Sequence, residues 1–393
     1  MNASGPALPD RADVLVVGGG IGGLSAAYAL ATSGYAVRLY EQASQFGEVG
    51  AGLQLAPNAT RILAEWGLLD RVVDIGVLPR RLVLRDAVTG AELTALELGA
   101  GFRARYGAPY VVAHRSDLHR ILLDACRDAG VALENGRRVE RVTPDGRAYR
   151  ADGGTHTSDA VIGADGLTST LRATVVDDEP VPSGFVAYRG AVPIADIPTD
   201  VAQDEVVAWI GPGCHLVQYS LRRGEVFNQV AVFRSPAFTR GEADWGGPEE
   251  LDGAFAHCAP PVREALGALW RDRHWPMYDR APAPEWVSGR LALTGDAAHP
   301  MLQYLAQGAC QAIEDGYTLA AQAAKHATAD GTDGDAALRG FAGARVPHTA
   351  RVQTSARTWG EMWHVDGVGR LLRNELFTTR ALDDYRHLDW LYA

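Results

Sequence analysis

Cysteine is scarce in this sequence: Cys126, Cys214, Cys258 and Cys310 are the only four in 393 residues, far apart and without a CxxC pair. That pattern excludes a disulfide scaffold and zinc-ribbon spacing, and it suits a reducing compartment, so a cytoplasmic protein is expected. Basic charge is also short, with 37 Lys plus Arg against 48 Asp plus Glu and a net charge of −11. An acidic surface without basic runs repels phosphate backbones, which argues against nucleic acid as a partner. Long apolar runs are missing too. The nearest approach is Val14–Ala31, and five glycines between positions 18 and 23 interrupt it, so no transmembrane segment is expected. Met1–Asp13 is polar, without a cationic start before an apolar core, and reads as a short tail rather than a signal peptide.

What is present is enough apolar residue, 47% of the chain, for a large core. Val14–Val17 is a short apolar run ending in glycines, the mark of a strand buried on both faces. Ile21–Thr32 reads as a helix closed by Gly34, and Ala36–Tyr40 as a second buried strand, so strand, helix and strand predict a parallel sheet. Further helices are expected over Pro57–Leu68, Ser116–Ala129, Ala306–His326 and Asp335–Trp359. Between Phe185 and Arg280 the texture changes. Alternation in Glu205–Ile210, Cys214–Leu221 and Val226–Phe233 predicts antiparallel strands with one exposed face, and 81–97 has the same character. The expected fold is therefore α/β. A nucleotide-binding domain (1–80, 98–183 and 281–362) is interrupted by a mixed, β-rich substrate domain (81–97 and 184–280), with a helical C-terminal segment (363–393).

Three motifs carry chemistry. Gly18-x-Gly20-x-x-Gly23 follows a strand and opens a helix. The first glycine makes the tight turn, the second lets backbone approach a pyrophosphate, and the third lets helix pack on strand. Free N–H groups and the dipole at the helix start then favour the anion. Glu41 ends the second strand where it would accept a ribose hydroxyl. This fingerprint alone does not separate FAD from NAD. Two later strands, ending at Asp165-Gly166 and at Gly295-Asp296, each bring a carboxylate to a strand's C-terminal end, where open α/β sheets bind ligands.

In this order the motifs resemble those of the aromatic-ring hydroxylases, the single-component flavoprotein monooxygenases built like 4-hydroxybenzoate hydroxylase, over almost the whole length. The resemblance implies a Rossmann-like FAD-binding domain of the GR2 type, FAD as cofactor, and NADH or NADPH as transient co-substrate with O2. It puts the flavin ribityl contact on Asp296, a contact to the flavin chain on Arg115, and Val139 beside the adenine. Asp165, Gly166 and Arg172 would serve both FAD and the nicotinamide nucleotide. Gln307-Gly308-Ala309 opens a helix whose positive end would face the flavin pyrimidine ring, where reduced flavin is an anion. Glycine at 308 would let backbone come close. Cys310, two residues on, reads as packing. Only one dinucleotide fingerprint and no redox cysteine pair are present, so a two-nucleotide disulfide reductase is not expected.

Hydroxylation of a phenol needs a base, because a phenolate is far more nucleophilic than the neutral ring. In Cys214–Leu221, residues His215, Val217 and Tyr219 share one strand face. A His and a Tyr in an apolar wall read either as a base with its neighbour or as a hydrogen-bonded structural pair. The loop Met301–Asp315, the His-x-x-x-Tyr strand and Tyr106–Tyr110 are similar to the 3-hydroxybenzoate 6-hydroxylase subgroup, as are Trp363–Gly367 and Arg373–Phe377. That likeness implies His215 and Gln303 at the substrate hydroxyl, Tyr106 and Tyr219 lining the pocket, and a small aromatic hydroxy acid as substrate. Arg189 reads as a brace at the domain junction, with a substrate carboxylate as the other option, and His299 as part of the Gly-Asp turn. Alternatives are a salicylate or 6-hydroxynicotinate hydroxylase that releases CO2, and a non-catalytic scaffold of the same fold. Homodimers are common among such relatives, though no patch in the sequence marks an interface.

Overall fold

The computed structural model describes residues 12–47, 52–198, 201–328 and 331–393. All but the last two residues of the polar tail Met1–Asp13 therefore lie outside the described residues.

Val14–Val17 is buried along its whole length and pairs in parallel with Val37–Tyr40 on one side and Ala160–Gly163 on the other. Ala132–Glu134 and Leu291–Leu293 extend the parallel ladder at either end, and Val287–Ser288 adds a short antiparallel edge. Parallel strands share one polarity, and the register sets Val17 beside Gly163 and Gly163 beside Leu293. The Gly18 turn, the segment Ala164–Gly166 and the turn Thr294–Asp296 consequently leave the sheet at the same edge. The expected helix Ile21–Thr32 is found at those bounds, and the helix expected over Ala306–His326 runs from Gly308 to Lys325.

The alternating segments form a second sheet of seven strands, in the order Trp275–Asp279, Val181–Pro193, Val226–Arg234, Cys214–Leu221, Glu205–Gly211, Arg81–Asp86 and Glu92–Glu97. Neighbours are antiparallel except for Glu205–Gly211 against Arg81–Asp86. Period-two alternation divides its residues between two faces. Cys214, Leu216, Tyr188 and Phe233 pack under Leu251, Phe255 and Val262 on one side, and His215, Val217, Tyr219 and Val230 look into a cavity on the other. A small sheet of Val139–Val142, Arg147–Arg150 and Thr155–Thr157, absent from the sequence reading, precedes the Ala160 strand.

The helix expected over Asp335–Trp359 reaches further, from Gly334 to His364. A helix Gly367–Thr378 follows and is fastened to the seven-stranded sheet by buried Asp86, whose carboxylate accepts from Arg370 at 2.5 and 2.8 Å and from Asn374 at 2.8 Å. Among the described residues no helix is long and apolar enough to cross a membrane.

A buried carboxylate also locks the Gly-Asp turn. Asp315 Oδ2 accepts from Thr294 Oγ1 and the Gly295 N–H at 2.9 Å and meets His299 Nε2 at 2.6 Å, while Oδ1 accepts from Arg345 Nε at 2.7 Å. His299 thus belongs to the support of the turn. Burial by itself would raise the Asp315 carboxyl; the fields of His299 and Arg345 and the hydrogen bonds overcome it and hold the group far below the usual carboxylate range. A depressed native pKa contributes stability above the unfolded value of about 3.9 and loses it as pH falls below that value. Asp315→Asn should therefore lower stability on the order of 3 kcal/mol at pH 7, because Arg345 keeps Glu314 but loses its fully buried counter-charge. Chemical denaturation at pH 7 and at pH 3 checks this: the gap between wild type and variant should narrow at the lower pH.

Candidate active site

The two sheets enclose a cavity of about 920 Å³, large for a ligand site. One end is the strand-end edge of the parallel sheet. Gly18 takes φ +109°, and a Cβ there would stand 2.2 Å from the Ala164 carbonyl oxygen, so only glycine permits this approach of turn to strand. At Gly23 a Cβ would stand 1.9 Å from the Gly18 oxygen. Gly20 then opens the helix on the cavity wall. Glu41 is half-buried and braces the turn, accepting from the Gly19 N–H at 2.7 Å and the Ala43 N–H at 2.8 Å. Arg115 begins the helix Arg115–Asp128 and lines the cavity, while His119 from the same helix holds the Gly19 carbonyl at 2.7 Å.

Asp296 is the only exposed residue between Leu291 and Pro300, and it stands on the cavity wall beside Gly295. Gly308 and Ala309 open the helix that faces it. A Cβ at Gly308 would have no protein atom within 4 Å, so the helix start offers bare backbone to open space. Three other residues expected at the cofactor sit back from the wall. Asp165 directs its carboxylate into its own turn, accepting from Ser169 Oγ at 2.5 Å and the Thr170 N–H at 2.9 Å, and it is Gly166 that lines the cavity. Val139, the first residue of the small sheet, is buried in the core. Arg172, also buried, ties Asp178 to the carbonyls of Ala297 and Ala298. A glycine cradle, an exposed carboxylate and a bare helix N-terminus on one wall fit a flavin dinucleotide. Gly18, Gly20, Asp296, Gly308 and Ala309 are the residues that would hold it.

The other end is apolar and aromatic. His215, Val217 and Tyr219 line it with Gln303, Tyr304 and Tyr110. Tyr106 lies one layer behind, where its hydroxyl donates to the Tyr385 carbonyl at 3.1 Å and to Asp389 at 2.9 Å. The turn at Gly107, φ +74°, reverses the chain between Tyr106 and the wall residue Tyr110, whose hydroxyl donates to Gln54 at 2.6 Å. Arg189, read from sequence as a brace, also lines the cavity. Its guanidinium stands 5.4 Å from the Trp275 ring centroid, and its Nε has no hydrogen-bond partner among the described residues. Burial, with the Arg115 charge adding to it, pulls the Arg189 pKa down. Such a group favours an anion beside it. Cys310 is buried off the wall, its thiol pushed up to about 12 by burial, as suits packing.

His215 is 1% exposed, and burial first, then His364, draw its pKa well below 6.5. The ring is therefore neutral at physiological pH. Its Nδ1 lies 2.8 Å from His364 Nε2, a partner 149 residues away that the sequence reading did not single out as a site residue. The only signal was the Trp363-His364 likeness to the hydroxylase subgroup; no periodicity relates the two histidines.

A dinucleotide cradle opening onto a buried, histidine-bearing aromatic pocket defines a flavoprotein that acts on a small ring. The chain belongs to the FAD binding domain family, which matches residues 11–356. It is 37% identical over 390 residues to a 3-hydroxybenzoate 6-hydroxylase of Polaromonas naphthalenivorans (98% of this chain, 96% of that one). It is 39% identical over 395 residues to the 3-amino-4-hydroxybenzoate 2-monooxygenase PtnB3 of Streptomyces platensis (98% and 96%). Among solved structures, Klebsiella pneumoniae HpxO complexed with FAD and uric acid superposes with a TM-score of 0.82 at 28% identity (96% of this chain, 95% of that one). FAD is the cofactor and monooxygenation the class of reaction.

Filling the open space at the helix start tests the cradle. Gly308→Val, whose Cβ enters open space, should fold with unchanged circular dichroism, yet FAD absorbance retained through gel filtration should fall at least tenfold. Full retention would move the flavin elsewhere.

Proposed function

We propose that this protein is an NADH-dependent 3-hydroxybenzoate 6-hydroxylase, forming 2,5-dihydroxybenzoate. The observation that carries the reading is the neutral, buried His215 on the same wall as Gln303 and Tyr219. Near-full-length likeness to a 3-hydroxybenzoate 6-hydroxylase supports it. Bound FAD, reduced by the nicotinamide nucleotide, supplies activated oxygen. The Gly18 turn, Gly20, Arg115, Gly166, Asp296, Gly308 and Ala309 form its binding wall, with Gly23, Glu41, Asp165 and Val139 supporting that wall from behind. In this assignment the six-stranded sheet serves the cofactor and the seven-stranded sheet the substrate.

The protein's own part is to bind, ionise and orient the ring. Gln303 and His215 meet the ring hydroxyl, and Tyr219 packs on the ring. Tyr106 acts from the layer behind. Arg189 meets the carboxylate, in place of the bracing role expected for it. A neutral base is required to accept the phenol proton, and desolvation keeps His215 in that state. Once the proton moves to His215, phenolate and imidazolium stabilise each other in a medium of low dielectric. The second reading is 3-amino-4-hydroxybenzoate as substrate, favoured by the equal likeness to PtnB3. Product chromatography after turnover with a panel of hydroxybenzoates decides. Gentisate from 3-hydroxybenzoate supports the leading reading, uncoupled NADH oxidation sinks it, and CO2 release points to a decarboxylating hydroxylase.

His215→Ala should still bind substrate but hydroxylate about 10² to 10⁴-fold more slowly at pH 7. Its rate should recover towards the phenol's own pKa, near 10. Wild-type hydroxylation should show no acid limb above pH 6.5, because the His215 pKa lies well below that value. Wild-type rates in His215→Ala would return that residue to a structural role. The four free cysteines suit a reducing, cytoplasmic setting. Self-association belongs to the same reading: Val368, Leu371 and Leu372 are each at least 63% exposed on one stripe of the helix Gly367–Thr378. Leu371→Glu with Leu372→Glu should convert a dimer to a monomer in sedimentation velocity, and a monomeric wild type would end that part of the proposal.

A further inference from the structure

His215 is buried in the cavity wall, and its ring nitrogen Nδ1 is already engaged. His364 Nε2 sits 2.8 Å from His215 Nδ1, with the rings stacked at 5.1 Å and 26°. His364 is in turn stacked on Phe185 at 4.5 Å, and Trp363 and Tyr304 close around His215 at 5.1 and 5.4 Å. The contact is fixed through backbone as well. The His364 carbonyl, at the end of the helix Gly334–His364, accepts from the Gly213 N–H at 3.1 Å, two residues before His215. Arg373 donates to the preceding Trp363 carbonyl at 2.7 Å. His364 Nδ1 is buried without a partner, so the bond to His215 is the one its ring makes among the described residues.

One hydrogen is shared across a contact between two neutral imidazoles, and its position decides what the cavity meets. If His215 Nδ1 donates to His364 Nε2, then His215 Nε2 is a bare lone pair and can take a phenol proton. With the opposite sense, Nε2 carries hydrogen and can only donate. After the proton has moved, His215 must donate through Nδ1, and His364 Nε2 is the acceptor in place. We infer that His364 is the positioning residue of the catalytic site: it accepts the Nδ1 hydrogen of His215, fixes the tautomer that acts as base, and stabilises the imidazolium that results. This rests on His215 being the base in the reaction proposed above.

The groups around His364 decide that it orients rather than stores the proton. Burial first, then Arg234 on the neighbouring strand and Arg373 on the following helix, pull its pKa down to about 3. Tyr304 and Phe185 face it without charge, and the Asp86 carboxylate is engaged with Arg370, Asn374 and Arg373. A second cation there is opposed from two sides, so the proton stays on His215, ready to return to product.

The test uses FAD-loaded protein labelled with ¹⁵N-histidine, with His215 assigned through His215→Gln. Without substrate, wild type should show hydrogen on His215 Nδ1 and a bare Nε2, and His364→Phe, which keeps the stack but not the acceptor, should lose that preference. With 3-hydroxybenzoate as probe, ultraviolet difference titration should show the bound phenol ionising at least one pH unit higher in His364→Phe. Its Kd should stay within threefold and its hydroxylation rate should fall about tenfold to hundredfold. His364→Gln, whose carbonyl can accept, should recover part of both effects, and it also keeps the test open should the Phe variant misfold. Hydrogen on His215 Nε2 in wild type overturns the inference, as does an unchanged tautomer and ionisation pH in His364→Phe. Failure of wild type to bind or hydroxylate 3-hydroxybenzoate would instead sink the substrate reading and leave the tautomer result standing.

Discussion

The site depends on one buried ion pair. Asp315 lies on the helix Gly308–Lys325 and Arg345 on the helix Gly334–His364, and they meet at 2.7 Å out of reach of water. The first helix begins at the cavity with Gly308, and the second ends beside it, with Trp363 on the wall and His364 against His215. Fixing one helix against the other therefore sets the distance between the flavin wall and the base. The same carboxylate holds Thr294, Gly295 and His299, so the turn that presents Asp296 is referred to the same point. An isolated buried pair is often no better than an apolar substitute for stability. Here its value is geometric: three elements from distant parts of the chain share one anchor, and all three reach the cavity.

An acidic chain places cations inside its cavity. The chain carries a net −11, yet Arg115 and Arg189 both line the interior. Surface acidity is screened within roughly 10 Å in dilute salt, whereas a desolvated guanidinium acts at nearly full strength across a small pocket. An aromatic acid and a pyrophosphate are both anions, so Arg115 and Arg189 give each a cation to meet, while Asp296 stands on the same wall. The aromatic wall around His215 adds the complementary condition: with so little water near, the imidazole stays neutral until a proton donor arrives.

Much of this was legible from residue order. The Gly18 turn, the strands on either side and the Gly-Asp turn are local, each encoded within a dozen residues, and sheet polarity then brings them to one edge. The parity of Cys214–Leu221 put His215, Val217 and Tyr219 on one face, because a strand's period of two leaves no choice. Other features depend on contacts that no local pattern encodes. His364 meets His215 across 149 residues. Tyr106 and Tyr110 sit in one short motif, but the turn at Gly107 sends only Tyr110 to the wall. Arg189 stands in Ala-Tyr-Arg-Gly at the start of the β-rich insertion, a position that fits a brace as well as a carboxylate contact, and only its three-dimensional surroundings leave its Nε without a partner among the described residues.

The two sides of the cavity also differ in how much change they tolerate. The flavin wall is built of backbone: glycine turns, a helix start, and one carboxylate whose position the turn dictates. Few side chains there can vary without closing the space. The substrate wall is built of side chains projecting from the pleats of a sheet, so a residue at 217, 219 or 230 faces away from Leu216, Phe233 and Val262 behind it and can change size without pressing on them. Relatives named for different hydroxylated rings, at similar identity to this chain, are what such a division permits. The residues that cannot vary freely on the substrate side are those tied to something else, and His215 is tied twice, through its ring to His364 and through the Gly213 backbone to the same residue. A base held at two points keeps its aim while the rest of the wall is remodelled around a new ring.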